Sequence, residues 1–118
     1  MTNHSIKKMD IWVAELPTIP DSHVQHGRRP VVIVSNDAAN LHSPVITVVP
    51  LTSKTKRGQL PTHVLLRGHG LRCASVACCE QVMTLDKYRL CQRMGEVTDW
   101  FEKIALQHAL TVQLDLAI

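Results

Sequence analysis

Two short polar clusters flank an apolar stretch between Gly27 and Lys54, and their residue types suit a phosphate. The first is Arg28-Arg29-Pro30. Arginine offers several donors in a planar fork and stays charged, which matches phosphate and carboxylate oxygens. Pro30 fixes its own φ and biases Arg29 towards an extended conformation, which orients the side chain. The second cluster is Thr52-Ser53-Lys54 with Lys56 and Arg57, two hydroxyls followed by three cations. Such a set can donate to phosphate oxygens and neutralise them. Taken alone, each cluster also fits a solvated charge pair or a soluble loop.

Two further groups could take part. His63, in Leu60-Pro61-Thr62-His63, carries an imidazole, a side-chain type suited to proton transfer, and equally fits a half-buried spacer at a strand start. Glu80-Gln81 ends an apolar run where polar side chains could read a base edge or cap a turn. His23 and His26 precede the arginine pair and are alternative proton acceptors. There is no Gly-rich phosphate loop, paired-carboxylate metal site or G-x-S-x-G elbow. Cys73, Cys78, Cys79 and Cys91 show no C-x-x-C spacing and read as small apolar residues of a reduced core. In a strand, Cys78 and Cys79 would point to opposite faces.

The elements that must position these groups are mostly strands. Residues 10–16 alternate loosely and end at Pro17. Residues 18–27 form a polar loop of the length that is commonly functional. The β-branched run 30–35 is the pattern of a strand buried on both faces. Residues 36–44 carry turn chemistry, and 45–50 are the antiparallel partner strand. Antiparallel pairing of these two strands places Arg29 near Thr52, so both polar clusters meet at one end of the hairpin. A basic loop at 52–60 follows, then strands at 62–66 and 75–79, a helical turn at 84–90 capped by Thr84, and a last strand at 91–97. From Thr98 the period becomes helical, with Asp99 and Glu102 as a D-x-x-E capping box. Phe101, Ile104, Ala105, Ala109 and Val112, with Leu106, Leu110 and Leu114 beside them, form a stripe able to cover one end of a sheet; His108 falls inside it as a packed core histidine. The expected fold is a mainly β, antiparallel domain, a curled barrel closed by a C-terminal helix.

Bulk properties agree with one domain, 1–118, with a single core. The chain is 45% hydrophobic and 19% charged, as expected of an ordinary globular protein. Aromatics are too few for a surface that grips bases by stacking alone. The net charge of +3 permits an anionic partner without requiring one. No apolar run reaches signal-peptide or membrane-spanning length, so a cytoplasmic protein with no membrane association is expected.

The series GRRPVVIVSNDAANLHSP, VVPLTSK, LPTHV and CEQVMTLDKYRL resembles the MazF/PemK (Kid) family of toxin endoribonucleases, over nearly the whole chain. The resemblance implies an SH3-like barrel with a terminal helix, assembled as a homodimer. It implies the toxin of a type II toxin–antitoxin system, with a cognate antitoxin as partner and operator DNA contacted only through that antitoxin. The implied activity is sequence-specific, metal- and cofactor-independent cleavage of single-stranded RNA, such as mRNA, by 2′-hydroxyl attack. That reaction leaves 2′,3′-cyclic phosphate and 5′-hydroxyl ends. Carried over by motif, Arg29 and Thr52 are the implied catalytic residues, and Ser22, Gln25, Ser53, Lys54, Lys56, Leu60, His63 and Gln81 the implied RNA contacts. The chain departs from the family pattern at Met9-Asp10-Ile11, in the loop Asp21 to Gly27, and at Ala74-Ser75-Val76. A CcdB-like gyrase poison and a non-catalytic SH3-like binding module are the alternatives.

Overall fold

Val31, Val32 and Ile33 are fully buried, as a strand covered on both faces requires. In the computed structural model, which describes residues 5–55 and 60–116, this run lies in a seven-stranded sheet. The strands are β1 (Asp10–Leu16), β2 (Gly27–Ile33), β3 (Val45–Thr52), β4 (His63–Leu66), β5 (Ser75–Cys78), β6 (Met83–Asp86) and β7 (Leu90–Glu96). Helix α1 (Asp37–His42) follows β2, α2 (Trp100–Leu114) follows β7, and 3₁₀ turns occupy Cys79–Gln81 and Lys87–Arg89. The order is β4-β5-β3-β2-β1-β7, every pair is antiparallel, and β6 also pairs with β3.

Strand β3 is the hub. It pairs with β6 over Val45–Val48, with β2 over Val48–Pro50, and with β5 at Leu51 and Thr52. Neighbouring residues on the central strands go to opposite sides, as strand geometry dictates. Ile11, Val32 and Val49 join Leu66, Leu106 and Ala109 in one core. Trp12, Val31 and Val48 join Ile33, Ile46 and Leu85 in another.

The expected barrel is not closed. Among the described residues β4 and β7 end the sheet without pairing to each other. Helix α2 packs on β4 instead, with Glu102 accepting from the Arg67 backbone N–H at 3.2 Å, so the edge is covered rather than joined.

Other local expectations change for identifiable reasons. Strand β2 starts at Gly27, whose φ of 76° turns the chain into the sheet, so Arg28 and Arg29 are strand residues opposite Glu15 and Ala14. The turn after β2 contains α1, because the Asn36 side chain accepts from the Ala39 N–H at 2.8 Å and caps a short Ala-containing helix. Thr84 caps nothing; it sits in β6 opposite Thr47, because pairing with β3 overrides the local helical preference, and only Lys87–Arg89 turns.

At α2, Asp99 does accept from the Glu102 N–H, at 3.0 Å, but Glu102 reaches Arg67 and His69 rather than completing the capping box. The stripe on α2 is narrower than its sequence indicates: Leu106 and Ala109 are buried, while Phe101, Ile104, Val112 and Leu114 are exposed. His108 is exposed, not packed, because the helix meets only β4 and the first 3₁₀ turn closely.

Candidate active site

The β2–β3 pairing ends at Val31 opposite Pro50, which leaves Arg29 and Thr52 just past the last paired residues at the same end of the two strands. The Arg29 guanidinium is fixed by backbone carbonyls: Nε donates to His26 O at 2.9 Å and Nη1 to Leu51 O at 3.4 Å. Burial lowers its pKa from the ordinary value, which favours proton donation slightly without removing the charge. Thr52 is 8% exposed, and its Oγ1 accepts from the Lys54 N–H at 3.2 Å. That leaves the Thr52 hydroxyl proton available to a ligand.

Both side chains open onto a cleft of about 250 Å³, which Gln25, Ser53, Lys54, His63 and Gln81 also line. The loop before β2 is tied to this cleft, because the Gln25 N–H donates to Gln81 Oε1 at 2.7 Å. Glu80 and His63 line the same cleft as the arginine. Glu80 Oε1 accepts from Thr62 Oγ1 at 3.1 Å, and Glu80 Oε2 meets His63 Nε2 at 2.9 Å. The cleft thus combines a donor fork, a hydroxyl and a lysine with a His–Glu pair. Such a set can stabilise charge developing on a phosphodiester and exchange a proton beside it.

Several sequence-derived site residues lie elsewhere. Ser22 Oγ accepts from the Val24 N–H at 3.1 Å and shapes its own loop outside the cleft. Leu60 is half exposed and does not line it. Lys56 falls outside the described residues. Of the candidate proton acceptors, His23 and His63 line the cleft, whereas His26 contributes its carbonyl to Arg29. Arg28 turns to Glu15 at 3.2 Å.

Two lining residues, Val76 and Cys78, were not among the sequence candidates, whereas Glu80 entered with Gln81. Cys78 is the cleft-side member of the adjacent cysteines; burial, with Glu80 adding to it, pushes its thiol up to about 11, so it stays neutral and is a poor nucleophile near pH 7. A second cleft of about 540 Å³ shares Arg29 and Ser53 with the first and continues past Arg28 to Arg72 and Gln92. No helix among the described residues is long and apolar enough to cross a membrane.

Comparison with known proteins gives consistent matches. A sequence model of the family described as PemK-like, MazF-like toxin of type II toxin-antitoxin system matches residues 7–109. The Mycobacterium tuberculosis toxin MazF-mt6 superposes with a TM-score of 0.76 at 26% identity, covering 92% of this chain and 99% of that one. An endoribonuclease in complex with its cognate antitoxin, from a mycobacterial species, gives 0.74 at 26% identity, covering 99% of each chain. MazF from Deinococcus radiodurans gives 0.76 at 24% identity, covering 93% of this chain and 96% of that one, a likeness of fold alone.

Proposed function

The chain belongs to the PemK-like, MazF-like toxin family of type II toxin–antitoxin systems, and from that premise we propose an endoribonuclease that cuts single-stranded RNA through Arg29 and Thr52 without a metal. The observation that carries this reading is the convergence of the Arg29 fork and the Thr52 hydroxyl on one cleft from two paired strands.

Cleavage starts when the 2′-hydroxyl adjacent to the scissile phosphate attacks phosphorus. Negative charge grows on the non-bridging oxygens of the pentavalent centre. Arg29 and the Thr52 hydroxyl donate to those oxygens; one preorganised donor of this kind contributes about 3–4 kcal/mol. The backbone carbonyls that hold Arg29 reduce the reorganisation needed as the charge develops. The 2′-proton passes to the His63–Glu80 pair, whose side chains Thr62 and the cleft wall hold in place. Arg29 protonates the departing 5′-oxygen. The products are a 2′,3′-cyclic phosphate and a 5′-hydroxyl. Gln25, Ser53, Lys54 and Gln81 contact the RNA around this point. The active unit is the single domain, 1–118, as a homodimer in the cytoplasm that a cognate antitoxin neutralises; exposed Trp100, Phe101 and Ile104 on α2 leave apolar surface for such partners.

The test is direct. Purified protein incubated with single-stranded RNA in EDTA should give the two stated ends. Arg29→Ala and Thr52→Ala should each slow cleavage by about 100-fold or more while the melting temperature is retained. Activity that requires an added metal ion, or gyrase–DNA cleavage complexes in place of RNA cleavage, would overturn the reading.

A further inference from the structure

We infer that the same cleft contains an inhibitory site for a thiophilic divalent cation, of which Zn²⁺ is the type, built from His63, Cys78 and Glu80. The inhibitory part rests on the reading of the cleft as the cleavage site; the binding part does not. A ring nitrogen of His63, Cys78 Sγ and a carboxylate oxygen of Glu80 lie within 4.8 Å of one another. Nitrogen, thiolate and carboxylate together are a zinc ligand set, and the sulfur disfavours Mg²⁺ and Ca²⁺, which prefer oxygen alone.

Two independent observations separate this cluster from chance proximity. Glu80 is already oriented by the buried Thr62 hydroxyl, the kind of outer partner that aligns a ligand. The His63 side chain is only 9% exposed, yet its Nδ1 has no hydrogen-bond partner among the described residues. A buried ring nitrogen left unpaired is unusual, and it marks His63 as a side chain whose hydrogen-bonding capacity the fold has not used up.

On binding, Cys78 Sγ forms the bond to the cation and its proton leaves to solvent; no electron is transferred. Thiolate and carboxylate then balance the two positive charges of the ion, so Arg29 keeps its own charge for phosphate. Three protein ligands leave one tetrahedral position open. Occupancy withdraws His63 and Glu80 from proton transfer, so the cation slows cleavage. Cys78 is required for this effect and has no role in cleavage itself.

The experiment uses the full chain carrying Cys73→Ser and Cys91→Ser, which removes the two exposed thiols as competing ligands. Co²⁺ added to metal-free protein should raise a thiolate-to-cobalt charge-transfer band that saturates near one equivalent and disappears in Cys78→Ala. In cleavage assays Zn²⁺ should slow the enzyme by about tenfold or more, reversed by EDTA. Cys78→Ala should cut at the unsubstituted rate in EDTA and resist Zn²⁺. Should Cys78→Ala not fold, Glu80→Gln in the cobalt titration tests the site by binding alone. Absence of the thiolate band, its persistence without Cys78, equal Zn²⁺ inhibition in Cys78→Ala, or acceleration by Zn²⁺ would each overturn the proposal. Failure to cut RNA in EDTA would instead remove the cleavage reading and leave the cobalt result to stand by itself.

Discussion

Arg29 and Thr52 face one phosphate-sized space, but what each must keep differs. The Arg29 fork is held by two backbone carbonyls, a geometry that an ammonium group cannot reproduce. Arg29→Lys should therefore lose nearly as much activity as Arg29→Ala, in single-turnover cleavage. Thr52 contributes a hydroxyl, so Thr52→Ser should retain most of the rate and Thr52→Val should lose it. These two positions were legible in the sequence because Pro30 and the Ser53-Lys54 pair mark them. Cys78 was not, since its approach to His63 depends on how β4 and β5 pair, with His63 opposite Cys78.

The buried cysteines also make a pH prediction. Burial raises the Cys78 thiol to about 11 and the Cys79 thiol to about 12, from 9.0 for both. A raised folded pKa means the folded state holds protons that the unfolded chain has lost. Stability is therefore unaffected below about pH 9 and falls as pH rises from there through about 11 to 12. Denaturation midpoints across that window should drop, and Cys79→Ala should flatten the drop.

At the scale of elements, local pattern and tertiary pairing compete. The runs at β2 and β3 were readable because β-branched residues fill both faces of a central strand. The segment 84–90 was not, since nothing local shows that β3 offers it a partner edge. The stripe on α2 misled for a similar reason: periodicity shows which residues share a face but not how much of that face is covered. Two long-range joints hold the elements around the site. Glu102 on α2 bonds to Arg67 and His69, and the segment at Gly70 passes against β7. A Cβ at Gly70 would lie 2.2 Å from the Met94 carbonyl oxygen, and its φ of 88° already disfavours a side chain. Gly70→Ala should destabilise the fold by about 2–4 kcal/mol, seen as a lower denaturation midpoint. An unchanged midpoint would mean that this crossing is not fixed in solution.

For the whole molecule the question is how a chain with a net charge of only +3 holds RNA. A uniform positive field is too weak at physiological salt, where exposed charges are screened beyond about 8 Å. The relevant cations are instead local. Arg29 and Lys54 line the first cleft, and Arg28 and Arg72 line the second, which shares Arg29 with it. A single strand crossing both clefts would meet about three or four of these charges, and each neutralised phosphate adds about −0.7 to the slope of log affinity against log salt. The expected slope is thus about −2 to −3, read on uncleavable RNA carrying a 2′-methoxy group at the scissile position. Arg72 lines the second cleft and not the first, so Arg72→Ala should raise KM and make the slope shallower by about 0.7 while leaving the saturated cleavage rate intact. Thr52→Ala should do the reverse, lowering the rate with the slope unchanged. A slope insensitive to Arg72 would confine the RNA to the first cleft, with its flanking nucleotides running over some other surface.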